Sequence, residues 1–225
     1  MSLVQALLLM TYWYETPDDQ KDTWHWMGVA ISLSHTIGLH RDPQNSVALD
    51  ATRKKLWKRI WWSCVMRDRL VALGMRRPTR IKSEDCDVPM LTLDDFEIDM
   101  DVSNIPLLSE GEDYEQALNK QRELAIMCIE KAKLCVGISH VLTAQYSVLN
   151  TNQGSLAADG STKTTMVLLP KGRDKDTCEV EKCDAELQKW VTGLPGEAVY
   201  RPVKMGDEPV DASLSLHRNL LHMVY

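Results

Sequence analysis

The sequence predicts an all-α fold, an irregular multi-helix array with a long acidic connection and a long mobile loop. Three observations support it. Apolar residues recur at helical spacing over most of the 225 residues, and capping residues and glycines bound these stretches. Strand-like composition is confined to residues 166–169. A hydrophobic content of 44% is enough to build a core, and no apolar run is long enough to span a membrane.

Two helices are expected at the start of the chain. Residues 3–13 carry an apolar helical pattern that ends before the turn cluster at 16–19. Asp22 or Thr23 is expected to cap the second helix, and Gly38 to end it. The expected inner face of this helix consists of Trp26, Val29, Ala30, Leu33 and Ile37.

A third helix is expected to begin at Asp50 or Thr52 and to run through Leu73. Gly74 and Pro78 are expected to terminate it. Its expected inner stripe consists of Leu56, Ile60, Cys64 and Val71. The sequence therefore places one long helix in the middle of the first half of the chain.

The second half begins with an irregular segment. Residues 81–112 lose helical periodicity and predict an extended connection along the surface, and one long amphipathic helix is expected over 114–150. Residues 151–177 are rich in Gly, Ser, Thr and Lys and predict a mobile loop or linker. Short helices are expected over 185–191 and 211–225. The predicted inner face of the long helix consists of Leu118, Ala125, Cys128, Ala132, Cys135, Leu142, Tyr146 and Leu149.

Charge is distributed in blocks rather than evenly mixed. Residues 53–82 hold 11 basic groups and one acidic group, whereas residues 83–119 hold 12 acidic groups and no basic group. A basic helix that contains Trp57, Trp61 and Trp62 is compatible with nucleic-acid binding, because cations contact phosphates and aromatic rings stack on bases. The alternative is that the two blocks neutralise each other within the fold. The net charge of −6 favours this second interpretation.

Asp68 is the single carboxylate of the basic block. Its spacing from Cys64 and Val71 predicts that it faces inward, where a buried carboxylate needs a partner. We expect Arg77 or Arg41 to pair with it through two hydrogen bonds. A structural pair is the favoured interpretation, because no second acid or nucleophile lies beside it in sequence.

Motifs for catalysis and metal binding are missing from the sequence. His35 and His40 are five residues apart, which predicts that they lie off a common helix face, unlike the histidines of metalloprotease helices. The sequence contains no glycine-rich phosphate loop and no nucleophile elbow. Cys178 and Cys183 could supply two zinc ligands, but no second pair accompanies them. Cys64, with Cys128 and Cys135, is expected to be a core residue. We therefore predict a protein that is not an enzyme.

An ordered set of short motifs nevertheless occurs along the first half of the chain. It consists of residues 24–30 (WHWMGVA), 34–42 (SHTIGLHRD), 56–62 (LWKRIWW), Asp68-Arg69, Arg77-Pro78, Ile81 and 85–89 (DCDVP). This set resembles the fungal-specific transcription factor domain, or middle homology region, of zinc binuclear cluster regulators, and particularly its cutinase transcription factor-like members. The resemblance is strongest over residues 1–110.

The resemblance implies structural roles for the motif residues. The residues concerned are Gly38, Leu39, His40, Arg41, Trp57, Trp61, Trp62, Asp68, Arg69, Arg77, Pro78, Asp85, Asp87 and Pro89. We expect Gly38 to adopt a positive φ at a helix end, so that Leu39 docks back on the core. Arg76 stands where many members of the family have a small residue, so the resemblance does not define where the third helix ends.

By resemblance, the chain is a regulatory domain of a nuclear factor that modulates transcription by RNA polymerase II. The family contacts DNA through an N-terminal six-cysteine zinc cluster, which this chain lacks, so no cofactor is expected here and residues 1–225 are expected to be a domain truncated at both ends. A small-molecule inducer would bind between helices, near Trp26, Met27, Trp61 and Met66. The alternative is a helical scaffold that binds another regulator through the acidic residues 83–119. A homodimer is left open, and no membrane partner is expected.

Overall fold

We analysed a computed structural model of the chain, which describes residues 1–13, 23–98, 114–149, 166–171, 177–202 and 211–225. The helices are α1 (Ser2–Met10), α2 (Thr23–Thr36), α3 (Ala51–Met75), α4 (Tyr114–Gln145), α5 (Thr177–Thr192) and α6 (Ala212–Val224). Short 3-10 turns occur at Pro43–Asn45, Ser83–Asp85 and Leu93–Asp95. The predicted all-α class is confirmed. None of the helices in this part of the chain combines the length and hydrophobicity that crossing a membrane requires.

Helices α3 and α4 form the centre of the structure and pack against each other. Helices α1 and α2 pack together and cover α3, while α5 and α6 cover α4. Trp61 of α3 and Leu134 of α4 are almost completely buried in the same hydrophobic core. This arrangement explains why both central helices bury side chains on more than one face.

The inner face of α2 differs from the predicted one. The helix buries Met27, Ala30, Ile31 and Ser34, whereas Val29 is 40% exposed. The apolar residues of α2 lie on several sides of the helix, so their periodicity does not show which of two neighbouring faces is buried. Contacts with α1 and α3 select the face that is buried.

The end of α3 also differs from the prediction. Asp50 caps its first turn by accepting a hydrogen bond from the Arg53 N–H at 2.7 Å, as expected for an N-cap. The helix continues through Gly74, and Arg76 ends it in the left-handed conformation with φ 52°. The chain therefore turns at an arginine, although glycine adopts this conformation at lower cost.

A two-stranded antiparallel sheet extends the long helix. Strand β1 (Tyr146–Leu149) follows α4 directly and pairs with β2 (Val167–Pro170), with Tyr146 opposite Pro170. The prediction had placed Tyr146 and Leu149 in the helix. This is wrong, because the backbone of these residues pairs with strand β2, which comes from the polar stretch predicted as a loop. The rest of the predicted mobile loop, 151–165 and 172–176, lies outside the described residues.

The last two helices follow the predicted order. Helix α5 begins at Thr177 rather than near 185, and it ends at Thr192 just before Gly193, as predicted. Asp211 caps α6 by accepting hydrogen bonds from the N–H groups of Ser213 and Leu214. Of the residues predicted for the inner face of α4, Ala125, Ala132, Cys135 and Leu142 are buried. Leu118 and Cys128 are partly buried.

Candidate functional site: the ion-paired junction of α3 with the acidic segment

The turn after α2 adopts the conformation that the motif predicts. Gly38 has φ 85°, and the N–H of Leu39 donates to the carbonyl of Ser34 at 2.9 Å. Leu39 is fully buried in the core. The turn thus reverses the chain direction and places the next residue, Leu39, in the hydrophobic core.

The same turn brings two histidines together. The ring centroids of His35 and His40 lie 4.9 Å apart, and both rings pack near Trp61. The two histidines share no helix face, as their spacing predicts, because His40 lies beyond the end of α2. The turn at Gly38 nevertheless folds the His40 ring back beside His35. Burial, followed by the neighbouring His35, lowers the pKa of His40.

The residues after this turn are fastened to the acidic segment, which we define as residues 83–119. The structure describes residues 83–98 and 114–119 of this segment. The carbonyl of His40 accepts a hydrogen bond from the N–H of Asp87 at 3.2 Å. The Asp87 carboxylate accepts a hydrogen bond from the N–H of Asp42 at 2.7 Å and pairs with Arg41 at 3.0 Å. Two motif residues, Arg41 and Asp87, are therefore partners in space.

Helix α3 and the acidic segment neutralise each other through three ion pairs. Lys58 and Asp95 are both buried and lie 2.5 Å apart. Lys55 pairs with Asp94 at 3.0 Å, and Arg59 pairs with Glu97 at 3.1 Å. The predicted neutralisation between the two charge blocks is confirmed for these three pairs, while residues 99–113 lie outside the described part.

The acidic segment is also packed into the core by its apolar residues. Ile81 precedes it, and together with Val88 and Leu91 it is buried. The Trp62 indole donates to the carbonyl of Pro89 at 2.9 Å, which fixes the segment against α3. The prediction of an extended path is therefore correct for this stretch, but the segment does not merely follow the surface.

Asp68 and Arg69 form the most buried charged pair in this region. Their side chains lie 2.5 Å apart, and both residues are almost completely buried. The Asp68 carboxylate also accepts hydrogen bonds from the backbone N–H groups of Arg80 and Ile81, at 3.0 Å and 3.1 Å. Burial raises the pKa of Asp68, and Arg69 and these backbone groups offset part of that effect.

The prediction that Arg77 or Arg41 pairs with Asp68 is wrong. Arg41 binds Asp87 instead, and Arg77 extends over the ring of Trp24 and donates to the carbonyl of Met166. Arg69 is the partner of Asp68, and further hydrogen bonds to two other parts of the chain hold its guanidinium in place. It donates to the carbonyl of Ile81 and to the Ser139 hydroxyl of α4.

A second contact ties the chain after α3 to α2, and the sequence did not predict it. The Arg80 guanidinium lies 3.5 Å from the centroid of the Trp24 ring and donates to the Trp24 carbonyl at 3.3 Å. Gly28 faces this guanidinium so closely that a Cβ there would lie 2.7 Å from it. The glycine of the WHWMGVA motif is the signal that could have revealed this close approach.

The remaining motif residues occupy various positions. Trp61 is fully buried and Trp57 is partly buried, with its ring near Gly38. Asp85 is exposed at the end of a 3-10 turn, and Pro78 lies partly buried between α3 and Arg80. The structure thus unites most of the motif around one junction between α2, α3 and the acidic segment.

The four residues of the predicted inducer pocket lie in or against the core. Met27 and Trp61 are fully buried, Met66 is nearly so, and Trp26 is partly buried. The open cavities that we describe are lined by other residues. The inducer pocket therefore stays a prediction.

The cysteines do not fit a zinc cluster within the described residues. Cys64 and Cys135 are buried on α3 and α4, and burial raises the pKa of the two thiols to about 11 and about 12. Cys178 is exposed and Cys183 is buried on α5. In the described ranges, no group of three His, Cys, Asp or Glu side chains is placed to hold a metal ion.

Comparison with known proteins gives a consistent result. The model of the fungal specific transcription factor domain matches residues 1–192. Cutinase transcription factor 1 beta of Fusarium vanettenii is 55% identical over 99% of this chain and 25% of its own length. A transcription factor of Fusarium pseudograminearum is 36% identical over 100% of this chain and 25% of its own length.

A shorter match involves the acetamidase regulatory protein of Aspergillus fumigatus, which is 40% identical over 43% of this chain and 13% of its own length. The chain thus spans a quarter of the length of the two Fusarium relatives. No solved structure matches it significantly.

Proposed function

Because the chain belongs to the fungal-specific transcription factor domain family, we propose that it is the regulatory part of a DNA-binding transcription factor of the nucleus. In this proposal the domain performs no chemistry of its own and modulates transcription by RNA polymerase II. The relatives that match this chain are transcription factors and a regulatory protein by name, which supports this role. Contact with DNA belongs to a zinc cluster of the intact factor, because the cysteines described here do not form one.

One observation carries the proposal that α3 is internal architecture. Three of its cations, Lys55, Lys58 and Arg59, are paired with carboxylates of the acidic segment. A cation that binds DNA must be free to replace the counterions of a phosphate. Pairing within the chain supports the proposal, because it leaves these three cations less available to phosphates.

Salt-dependent DNA binding tests the proposal. Fluorescence anisotropy of labelled duplex DNA would compare this chain with a version extended N-terminally by a six-cysteine zinc cluster. We expect sequence-specific binding only from the extended protein. Binding of this chain alone, with an affinity that falls steeply as salt rises, would show that α3 contacts phosphates and would overturn the proposal.

A pair of variants makes this test sharper. Replacing Asp94→Asn together with Glu97→Gln releases Lys55 and Arg59, so we expect non-specific DNA affinity to increase. The control, Glu181→Gln with Asp184→Asn, removes the same charge from exposed positions of α5. An equal increase in both variants would mean that net charge, and not the pairing, governs binding.

The scaffold alternative assigns the acidic segment to another protein. Its carboxylates at Asp94, Asp95 and Glu97 already have partners on α3, which disfavours that alternative for these residues. Asp99 lies outside the described residues. A pull-down of a co-regulator that survives neutralisation of all four acids would argue against the alternative.

A small-molecule inducer is a further part of the proposed regulation. The proposed contacts are Trp26, Met27, Trp61 and Met66, and the two tryptophans would report binding through their fluorescence. We expect a saturable change with the correct metabolite. A metabolite screen with no saturable response would count against the inducer, and sedimentation velocity would determine whether the domain forms a homodimer.

A further inference from the structure

Helix α1 exposes apolar side chains on the side that faces away from the core. Val4, Leu7 and Leu8 are buried, but Leu9 is 72% exposed, and Tyr12, just after the helix, is 64% exposed. A helix that is apolar on all sides is usually covered on all sides. A contiguous exposed apolar patch of this kind marks a surface that binds something.

The exposed side of α1 forms one wall of a groove, which we call the α1–α3 groove. Leu8, Leu9 and Tyr12, together with the polar Gln5, line one wall, and Leu56, Ile60 and Ser63 line the other. The three α3 residues are spaced four and three apart, so they form a single stripe along that helix. The groove has a volume of about 510 Å³.

Two arginines of α3 also line this apolar groove. Arg59 and Arg67 are eight residues apart, which corresponds to about 12 Å along a helix. Arg67 donates to the hydroxyl and the carbonyl of Thr11 and lies over the Tyr12 ring at 3.8 Å. None of these partners carries a negative charge, so the Arg67 charge is not neutralised by a contact that the structure describes.

Arg59 is only partly satisfied. One terminal nitrogen donates to Glu97 at 3.1 Å, but its Nε is buried and has no acceptor within the described ranges. The groove therefore combines mainly apolar walls with the Arg67 guanidinium, which has no described carboxylate partner, and the Arg59 guanidinium, which is paired with Glu97 but keeps one unsatisfied donor. An occupant with complementary chemistry has apolar side chains along one stripe and carboxylates beside it.

We propose that the α1–α3 groove binds an amphipathic helix of a partner protein, with apolar side chains over Leu9 and Leu56 and a carboxylate facing Arg67. Both walls are helices that offer side chains rather than free backbone groups, so a helix fits them better than an added strand. The groove shares Arg59 with the α3 junction, but the proposal is tested separately from DNA binding, because its assay uses a peptide and varies Leu9 and Arg67, which lie outside the junction.

A synthetic peptide provides the probe. It is a fluorescein-labelled, stapled helix of about 18 residues, with leucines along one stripe and glutamates on both flanks. The comparison peptide has lysine in place of each glutamate. With the full 225-residue chain, we expect the acidic peptide to bind with a Kd of roughly micromolar order and about tenfold more tightly than the lysine peptide.

Two matched variants locate the binding. Leu9→Ser lies in the groove, and Leu216→Ser lies on α6, where the leucine is also largely exposed. We expect Leu9→Ser to weaken acidic-peptide binding about tenfold and Leu216→Ser to leave it unchanged. Arg67→Gln should remove the preference for glutamate over lysine, and urea unfolding verifies that each variant is folded.

Several results would overturn the proposal. They are no binding at millimolar peptide, equal binding of both peptides, or an equal loss in Leu9→Ser and Leu216→Ser. Sedimentation velocity tests a different occupant: self-association of the chain that Leu9→Ser abolishes would assign the groove to a second copy instead.

Discussion

The described parts of the first region, residues 1–98, and of the second region, residues 114–225, are both mainly helical but are held together differently. The first places carboxylates and guanidiniums inside the structure, as with Asp68, Arg69 and the Lys58–Asp95 pair. The second relies mainly on apolar contacts between α4 and its neighbours, and each ion pair in its described residues, such as Lys120–Asp211, keeps at least one partly exposed partner. Buried polar groups demand one geometry, so the first region is the more strictly specified.

The largest expected effect concerns the buried carboxylate of the first region. Asp68→Ala leaves Arg69 charged without its partner and leaves the N–H groups of Arg80 and Ile81 without an acceptor. We expect the free energy of unfolding to fall by about 3–5 kcal/mol, measured by urea denaturation.

A double variant sharpens this result. Asp68→Leu with Arg69→Met removes both charges, which by itself can be nearly neutral. We expect it to remain destabilised, because the backbone groups of Arg80 and Ile81 still lack an acceptor. Recovery of full stability would show that the charges alone matter.

The next largest expected loss of stability concerns the turn at Gly38, which positions His40. Gly38 has φ 85°, so Gly38→Ala forces a side chain into the left-handed region. We expect a loss of about 1–2 kcal/mol in unfolding free energy. Gly74→Ala is the matched control, because Gly74 lies within α3 and its Cβ would meet open space. A similar loss in both variants would contradict this explanation.

A smaller effect is expected for the partly exposed helix cap of the second region, Asp211. Asp211→Ala removes the N-cap of α6 and should cost about 1 kcal/mol near neutral pH. The hydrogen bond from Lys120, followed by that from the Leu214 N–H, lowers the pKa of Asp211. The folded carboxyl thus has a lower pKa than the unfolded one, so its contribution is present above about pH 4 and is lost as pH falls through the folded pKa.

Urea denaturation between neutral pH and pH 3 checks the cap. The stability difference between the wild type and Asp211→Ala should shrink at the acidic end. A difference that stays constant would mean that the carboxylate charge does not contribute.

The smallest expected effect is a gain in stability. Arg76 adopts φ 52° at the end of α3, a conformation that costs a non-glycine residue about 1 kcal/mol. Arg76→Gly should therefore raise the unfolding midpoint slightly, while Arg77→Gly, one residue later, should not. Destabilisation by Arg76→Gly would show that its side chain, rather than its backbone, stabilises this turn.

Local patterns predicted most of the helices because caps and periodicity act within a few residues. Asp50, Asp211 and Gly38 behave as expected, and so does the mutual neutralisation of the charge blocks where they are described. The exceptions are the α2 face, the end of α3 at Arg76, and the strand pair. In each case, contacts distant in sequence decided between local alternatives of similar energy.

The sequence by itself determined the helical class, the family and the opposite charges of the two blocks, because these depend on residue types and short spacings. Only the tertiary structure decided which charges meet. Asp68 pairs with Arg69 rather than with Arg41 or Arg77. The N–H groups of residues 80 and 81 hold the Asp68 carboxylate, and the Ser139 hydroxyl holds the Arg69 guanidinium. The geometry of a buried charge depends on every group around it, and those groups come from separate elements of the chain.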